Sequence, residues 1–65
     1  MRPYLIKARK NKDLTQAQLG VLVGRTAQTI CDLEKGRNGG SVEVWDKLAA
    51  ALKVKADKLR QIGLR

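Results

Sequence analysis

The side chains best suited to recognise another molecule lie together in residues 27–35. At about 100° per residue, a helix over this segment places one mixed set of side chains on a single arc: Ala27, Gln28, Cys31, Asp32 and Lys35. The set combines an amide, a carboxylate and an ammonium group with two small side chains. That mixture is unusual for a face that meets only water, so we expect the arc to bind a partner.

The residue types of the whole chain argue against catalysis. The chain has no histidine, its single cysteine has no neighbouring base, and its six acidic residues are scattered rather than paired. General acid–base and nucleophilic catalysis both depend on such pairs. One thiol without histidine also leaves almost no ligands for zinc. We predict a protein that is not an enzyme and that uses no metal, cofactor or small-molecule substrate.

The charge balance indicates the class of partner. Fourteen Lys and Arg residues against six Asp and Glu residues leave a formal net charge of +8, with an isoelectric point near 10.3. A polyanion is therefore expected, either nucleic acid or an anionic membrane surface, although solubility alone is a plainer explanation. Tyr4 and Trp45 are the only aromatic residues. This argues against a sheet that stacks single-stranded nucleic acid or RNA.

Helical spacing and capping residues predict an all-α fold, a compact bundle of five short helices in one domain over residues 1–65. Thr15, Thr26 and Ser41 are suited to begin helices, and Gly24, Gly36 and Gly63 to end them. The predicted helices are Pro3–Lys12, Gln16–Val23, Ala27–Lys35, Val42–Lys53 and Ala56–Ile62.

The apolar spacing of each helix predicts an inward face. An arginine on the first such face suggests a buried stem whose charge is paired elsewhere. Gly20 costs about 1 kcal/mol relative to alanine in a helix, so we expect another helix to approach it closely. The inward positions, in chain order, are Leu5, Ala8, Arg9 and Lys12; Leu19, Leu22 and Val23; Ile30 and Leu33; Trp45, Leu48, Ala49 and Leu52; and Leu59 and Ile62.

The second and third predicted helices form one unit. Eight residues, a three-residue turn that opens with Gly24 and nine further residues have the lengths of a helix-turn-helix. Four apolar side chains fill the angle between the helices: Leu19, Val23, Ile30 and Leu33. Because so small a bundle buries only one side of the third helix, the mixed arc must face outward.

The stretch LTQAQLGVLVGRTAQTICDLEKG resembles the DNA-binding helix-turn-helix of the phage repressor and Cro type. The similarity includes Thr15-Gln16, the small residue Gly20, the turn at Gly24, the four apolar positions and the closing Glu34-Lys35-Gly36. Upstream, ARKNKDLTQ resembles the first helix of that family. Downstream, SVEVWDKLAAALKVKADKL resembles its fourth and fifth helices.

The resemblance implies a sequence-specific regulator of transcription that binds double-stranded DNA. The protein would be a repressor of phage, prophage or mobile-element type, with its third helix in the major groove. It would act as a homodimer, at least on DNA, and read a palindromic operator. A cytoplasmic, nucleoid-associated location in a bacterial or phage-infected host follows from the same resemblance.

The resemblance also assigns roles to residues of this chain. Among the residues expected to read bases, Gln28 is the best suited, because its amide can form two hydrogen bonds with the N6/N7 edge of adenine. The residues expected to read bases are Thr26, Ala27, Gln28, Cys31 and Asp32, and those expected to contact phosphates are Gln16, Arg25, Lys35, Arg37 and Asn38. Arg9 and Glu34 are expected to form a structural ion pair. The expected dimer seam consists of Val54, Lys58 and Leu59.

Two other functions are compatible with a small basic chain. One is a DNA-binding antitoxin, or another module that binds a protein partner, which would need an extension to wrap that partner. The other is a cationic amphipathic membrane peptide, which would form one long helix with a basic polar face. Five capped segments argue against the peptide, and no apolar run approaches the roughly 20 residues of a membrane span.

Overall fold

Five helices follow one another along the chain, and the bounds of the second and third are those predicted. The computed structural model describes residues 1–62, which contain no strand. This confirms the all-α class. The helices are α1 (Pro3–Asn11), α2 (Gln16–Val23), α3 (Ala27–Lys35), α4 (Val42–Leu52) and α5 (Ala56–Arg60).

The caps explain why α2, α3 and α4 begin where they do. Thr15 Oγ1 accepts a hydrogen bond from the Gln18 N–H at 3.0 Å, and Gln18 Oε1 accepts one from the Thr15 N–H at 2.8 Å. This capping box satisfies two backbone donors that would otherwise have no partner. Thr26 and Ser41 accept from the backbone at the starts of α3 and α4. The predicted caps are confirmed.

The ends of three helices differ from the prediction. Lys12 is an exposed C-cap rather than an inward helical residue, because the chain turns at Asp13, whose φ is 57°. Lys53 ends α4 in the left-handed region, with φ 59°. The backbone of Gln61 is extended, so α5 stops before Ile62, which is 48% exposed instead of buried. The stop predicted at Gly63 lies outside the described residues.

Eleven apolar side chains form one core between the helices: Leu5, Ala8, Leu19, Val23, Ile30, Leu33, Val44, Trp45, Leu48, Leu52 and Leu59. Ala49 is half-buried at its edge. The prediction that Leu22 belongs to this core is wrong, since Leu22 is 58% exposed. Leu22 faces the short side chains of Ala50 and Ala51 on α4, which are too small to cover it.

Gly20 is the point of closest approach between α2 and the turn before α3. A β-carbon there would lie 2.6 Å from the Arg25 carbonyl oxygen and 3.1 Å from the Thr26 carbonyl carbon. Both neighbours are backbone atoms, so they cannot move aside without shifting α3. The close contact expected at Gly20 is present, but it is made with the turn before α3 and not with another helix.

Replacing Gly20 by alanine should lower the free energy of unfolding by about 1–3 kcal/mol, because overpacking outweighs the gain in helix propensity. Urea unfolding followed by far-ultraviolet circular dichroism measures the change. Gly39→Ala is the matched control, because nothing lies within 4 Å of a β-carbon at that position. A Gly20→Ala protein as stable as this control would contradict the close packing.

Candidate nucleic-acid interface

The recognition arc, defined as Thr26, Ala27, Gln28, Cys31, Asp32 and Lys35, lies on the side of α3 that faces away from the core. Cys31 and Asp32 are half-buried, and the other four residues are exposed. The opposite side of α3 carries Ile30 and Leu33, which are both 0% exposed. The arc is therefore accessible to a partner from outside the protein.

Gln28 and Asp32 contact one another on this arc, one helical turn apart. Gln28 Nε2 donates to Asp32 Oδ1 at 3.0 Å. A carboxylate can only accept, so this contact orients the amide, with Nε2 toward Asp32. Within residues 1–62, the Oε1 acceptor and the second N–H donor of Gln28 have no other partner. One acceptor beside one donor is the pattern that the major-groove edge of adenine requires.

Arg37 lies beside the negative charge of Asp32. Its Nη1 is 3.9 Å from Asp32 Oδ1, and its side chain is 66% exposed, so the pair is weak. The backbone N–H groups of Arg37 and Asn38 both donate to the Asp32 carbonyl, at 2.9 and 3.3 Å. Asn38 Oδ1 accepts from the Gly40 N–H at 2.8 Å, which leaves its amide nitrogen available.

The ion pair expected between Arg9 and Glu34 is present and mostly buried. Arg9 Nε donates to Glu34 Oε2 at 2.6 Å, with side-chain exposures of 12% and 5%. Arg9 Nη1 also donates to the Leu14 carbonyl at 2.8 Å. Gln16 Nε2 donates to the other carboxylate oxygen, Glu34 Oε1, at 3.0 Å. This contact of Gln16 was not expected, and it joins α2 to the pair that links α1 and α3.

A second anchor, which the sequence did not reveal, holds the carboxyl end of α3. Arg2 is 7% exposed. Its Nη1 donates to the carbonyls of Leu33 at 2.7 Å and Asn38 at 2.8 Å, and its Nε donates to the Arg60 carbonyl at 3.1 Å. Its guanidinium also lies 5.0 Å from the centre of the Trp45 ring.

The electrostatics of Arg2 are unusual because its hydrogen-bond partners are carbonyls rather than a carboxylate. Leu33 and Arg60 lie in the last turns of α3 and α5, where the helix dipoles favour a cation. Burial lowers the pKa of the Arg2 guanidinium, and repulsion from the Arg60 charge lowers it further. The guanidinium remains charged at neutral pH. No feature of the sequence indicates burial at residue 2, which precedes a proline in a basic segment.

Trp45 fixes the loop that follows α3. It is 2% exposed, as expected for a core residue, but its Nε1 also donates to the Gly39 carbonyl at 2.8 Å. Gly40 has a φ of 72°, and a β-carbon there would lie 2.6 Å from Trp45 Nε1. The loop that carries Arg37 and Asn38 is therefore attached to the core through Trp45 and Arg2.

The remaining predicted residues lie at different places. Arg25 is half-buried in the turn before α3, with its Nη1 donating to the Gly24 carbonyl at 3.1 Å. Val54 is half-buried and Lys58 exposed near α5, far along the chain from the recognition arc. Leu59 is 0% exposed and belongs to the core, so the single chain offers no Leu59 surface to the dimer seam that was predicted there.

Residues 4–62 match the family model described as a helix-turn-helix domain. The chain belongs to the helix-turn-helix domain family. It is 44% identical over 52 residues to a protein of Methanothermobacter thermautotrophicus named as an uncharacterized HTH-type transcriptional regulator. That alignment covers 80% of this chain and 75% of the relative. No solved structure is significantly similar to the chain.

The helix-turn-helix motif of this protein consists of α2, the turn at residues 24–26 and α3. The Arg9–Glu34–Gln16 cluster and the Arg2 anchor both hold the carboxyl end of α3 against the other helices. None of the helices formed by residues 1–62 has the length and apolar character needed to cross a bilayer.

Proposed function

We propose that this helix-turn-helix protein is a sequence-specific transcriptional regulator that places α3 in the major groove of double-stranded DNA. The observation that carries the proposal is an exposed recognition arc on a helix whose carboxyl end is fixed by buried polar contacts. The major groove is wide enough to admit one helix. The net charge of +8 and the similarity to a protein named as a transcriptional regulator support the same function.

The proposed contacts divide into two classes. Gln28 reads a base edge, and Asp32 orients its amide through their hydrogen bond. Thr26, Ala27 and Cys31 complete the surface that meets the bases, with the Thr26 methyl group and Ala27 suited to thymine methyls. The groups proposed to position the protein on the phosphates are Arg25, Lys35, Arg37, Asn38 and the amide hydrogen of Gln16 that Glu34 does not use.

The proposed mechanism is occupancy of a promoter by a homodimer. Two copies would place their α3 helices about 34 Å apart, one helical turn of DNA, and so read a palindromic operator. Val54 and Lys58 would form the seam between copies, over the buried Leu59. A dimer bound across a promoter excludes polymerase, which is the action of a repressor of phage, prophage or mobile-element type.

The proposal is tested by selecting bound sequences from a random DNA pool and then measuring affinities by fluorescence anisotropy. Gln28→Ala should cost about 1–3 kcal/mol on the selected operator and much less on an operator changed at the base that Gln28 reads. Lys35→Ala should weaken binding to all sequences alike. It should also reduce the slope of log affinity against log salt by about 0.9.

Lys7→Ala is the control for charge, since Lys7 is exposed on α1 and lies away from the recognition arc. It removes the same charge as Lys35→Ala and should change the affinity less. Equal losses on every DNA sequence for Gln28→Ala would remove Gln28 from base recognition. Equal losses for Lys7→Ala and Lys35→Ala would contradict the placement of α3 on DNA.

A further inference from the structure

A groove of about 330 Å³ opens between α1, the end of α4 and the start of α5. Its floor is apolar, since Ala8 and Leu52 are only 7% and 2% exposed and Val54 is half-buried beside them. The small side chain of Ala8 leaves the space that a larger residue would fill. The groove is wide enough to accept a bulky apolar side chain from another molecule.

The rim of this groove is basic. Lys7, Lys12 and Lys58 line it and are all exposed, and no acidic residue lies among its lining residues. Within residues 1–62, none of these three lysines forms an ion pair. Lys58 Nζ instead lies 5.0 Å from the centre of the Tyr4 ring, which is a much weaker partner than a carboxylate.

No residue of α3 lines the groove. Lys7 lines the groove, whereas Arg9 bonds to Glu34 of α3. At about 100° per residue, these two side chains leave α1 roughly 160° apart. None of the residues that line the groove belongs to the recognition arc, so a molecule in the groove and DNA on the arc would contact different surfaces of the protein.

We propose that this groove docks an acidic amphipathic helix of a partner protein. A bulky apolar side chain of that helix would lie over Ala8 and Leu52, and its carboxylates would face the three lysines. This combination of apolar anchor and charged rim is the usual mode by which a helix binds in a groove. A phosphate backbone matches the lysines but has no group that suits the apolar floor.

Without DNA to hold two copies together, a second copy of this chain matches the groove less well than an acidic helix does. It would bring Lys58 against a surface that already carries three unpaired lysines. Of its four exposed acidic residues, Glu43 already pairs with Lys47 and Asp57 with Arg60 on their own helices. Within residues 1–62 this leaves only Asp13 and Asp46 to face three lysines. Charge complementarity therefore favours an acidic partner for the free protein.

The docking of a partner has a consequence that rests on the proposed function. Val54 and Lys58 line the groove and also belong to the proposed dimer seam. A partner bound in the groove would exclude the second copy, and it would lower the occupancy of a palindromic operator without touching α3. The docking itself does not depend on DNA binding.

The probe is a synthetic helical peptide of about 16 residues, with leucines on one face and glutamates on the other. Titration into the full chain, followed by calorimetry and heteronuclear NMR, should give saturable binding with shifts at Tyr4, Ala8 and Lys58 and none at Gln28. A peptide of the same composition in scrambled order should bind at least about tenfold more weakly, and one with lysine for glutamate should not bind.

Three variants locate the site. Ala8→Leu fills the floor without changing charge, and Lys7→Glu reverses one charge on the rim. Each should weaken peptide binding at least about tenfold. Lys35→Glu makes the same charge change on the recognition arc, so it should leave peptide binding within about twofold while it weakens DNA binding. Because Lys7 is exposed, its variant keeps the test decisive if Ala8→Leu fails to fold.

Several results would overturn the docking proposal while leaving the proposed function intact. They are no binding of the acidic peptide, equal binding of the scrambled peptide, or shifts that map to α3. A dimer of the free protein that Ala8→Leu abolishes would assign the groove to a second copy. Binding to phosphatidylglycerol vesicles that Lys7→Glu abolishes, without peptide binding, would assign it to a lipid surface. Failure of DNA binding with intact peptide binding would instead overturn the proposed function alone.

Discussion

Replacing Arg2 by methionine is expected to lower the free energy of unfolding by about 3 kcal/mol. The carbonyls of Leu33, Asn38 and Arg60 would each lose a charged donor, and the Trp45 ring would lose a cation 5.0 Å from its centre. Methionine keeps much of the volume of the stem, so the loss measures the guanidinium contacts rather than a cavity. Urea unfolding with circular dichroism measures it.

Two further variants separate the role of Arg2 from the effect of net charge. Arg2→Lys keeps the charge, but one ammonium group cannot replace the separate N–H donors with which the planar guanidinium reaches three carbonyls. We therefore expect a loss of stability between that of Arg2→Met and none. Arg37→Ala removes a charge from an exposed side chain in the same region and should change stability by less than about 0.5 kcal/mol. If Arg2→Met is no less stable than Arg37→Ala, Arg2 does not hold these segments together.

Replacing Glu34 by alanine is expected to lower the free energy of unfolding by about 3–5 kcal/mol, since it leaves the charge of Arg9 mostly buried without a carboxylate to neutralise it. Gln16 would lose its acceptor at the same time. Small domains are only marginally stable, so a loss of this size should leave much of the protein unfolded at room temperature. Thermal unfolding followed at the Trp45 fluorescence gives a direct measurement.

The pair is isolated by a double-mutant cycle. Arg9→Met combined with Glu34→Met replaces both charges by apolar groups, so the double variant should be more stable than the sum of the two single losses predicts. Glu34→Gln keeps an oxygen that Arg9 and Gln16 can both use, and it should cost less than alanine. Additive losses in the cycle would contradict a coupled pair of buried charges.

The helix-turn-helix motif could be predicted well from helix caps and helix-ending glycines, because each of these acts on groups only a few residues away. Thr15 and Thr26 cap backbone groups three residues ahead, and Gly24 adopts the left-handed backbone that ends α2. Gly20 was predicted correctly as a contact point, although its partner, the Arg25 carbonyl, became visible only in the structure. Caps and helix ends of this kind can be predicted from sequence, because each involves groups only a few residues apart.

Burial at the edges of helices was predicted less well. The helical period places Leu22 on the same face as Leu19 and Val23, which predicts that it is buried. In the structure it faces alanines of α4 whose side chains are too small to cover it, so it remains 58% exposed. Ile62 has helical spacing from Leu59, yet α5 ends at Arg60 and leaves Ile62 exposed. A pattern within one helix cannot show the size of the neighbour across from it.

The sequence by itself determined the five helices, the motif and the outward arc, because hydrogen bonds and side-chain spacing within one or two turns specify them. Only the tertiary structure decided what holds the arc in place and what else the protein offers to a partner. Arg2 contacts residues that lie between 31 and 58 positions further along the chain. The basic groove combines side chains of α1, α4 and α5. No local pattern encodes these features, since they arise when segments distant in the chain meet.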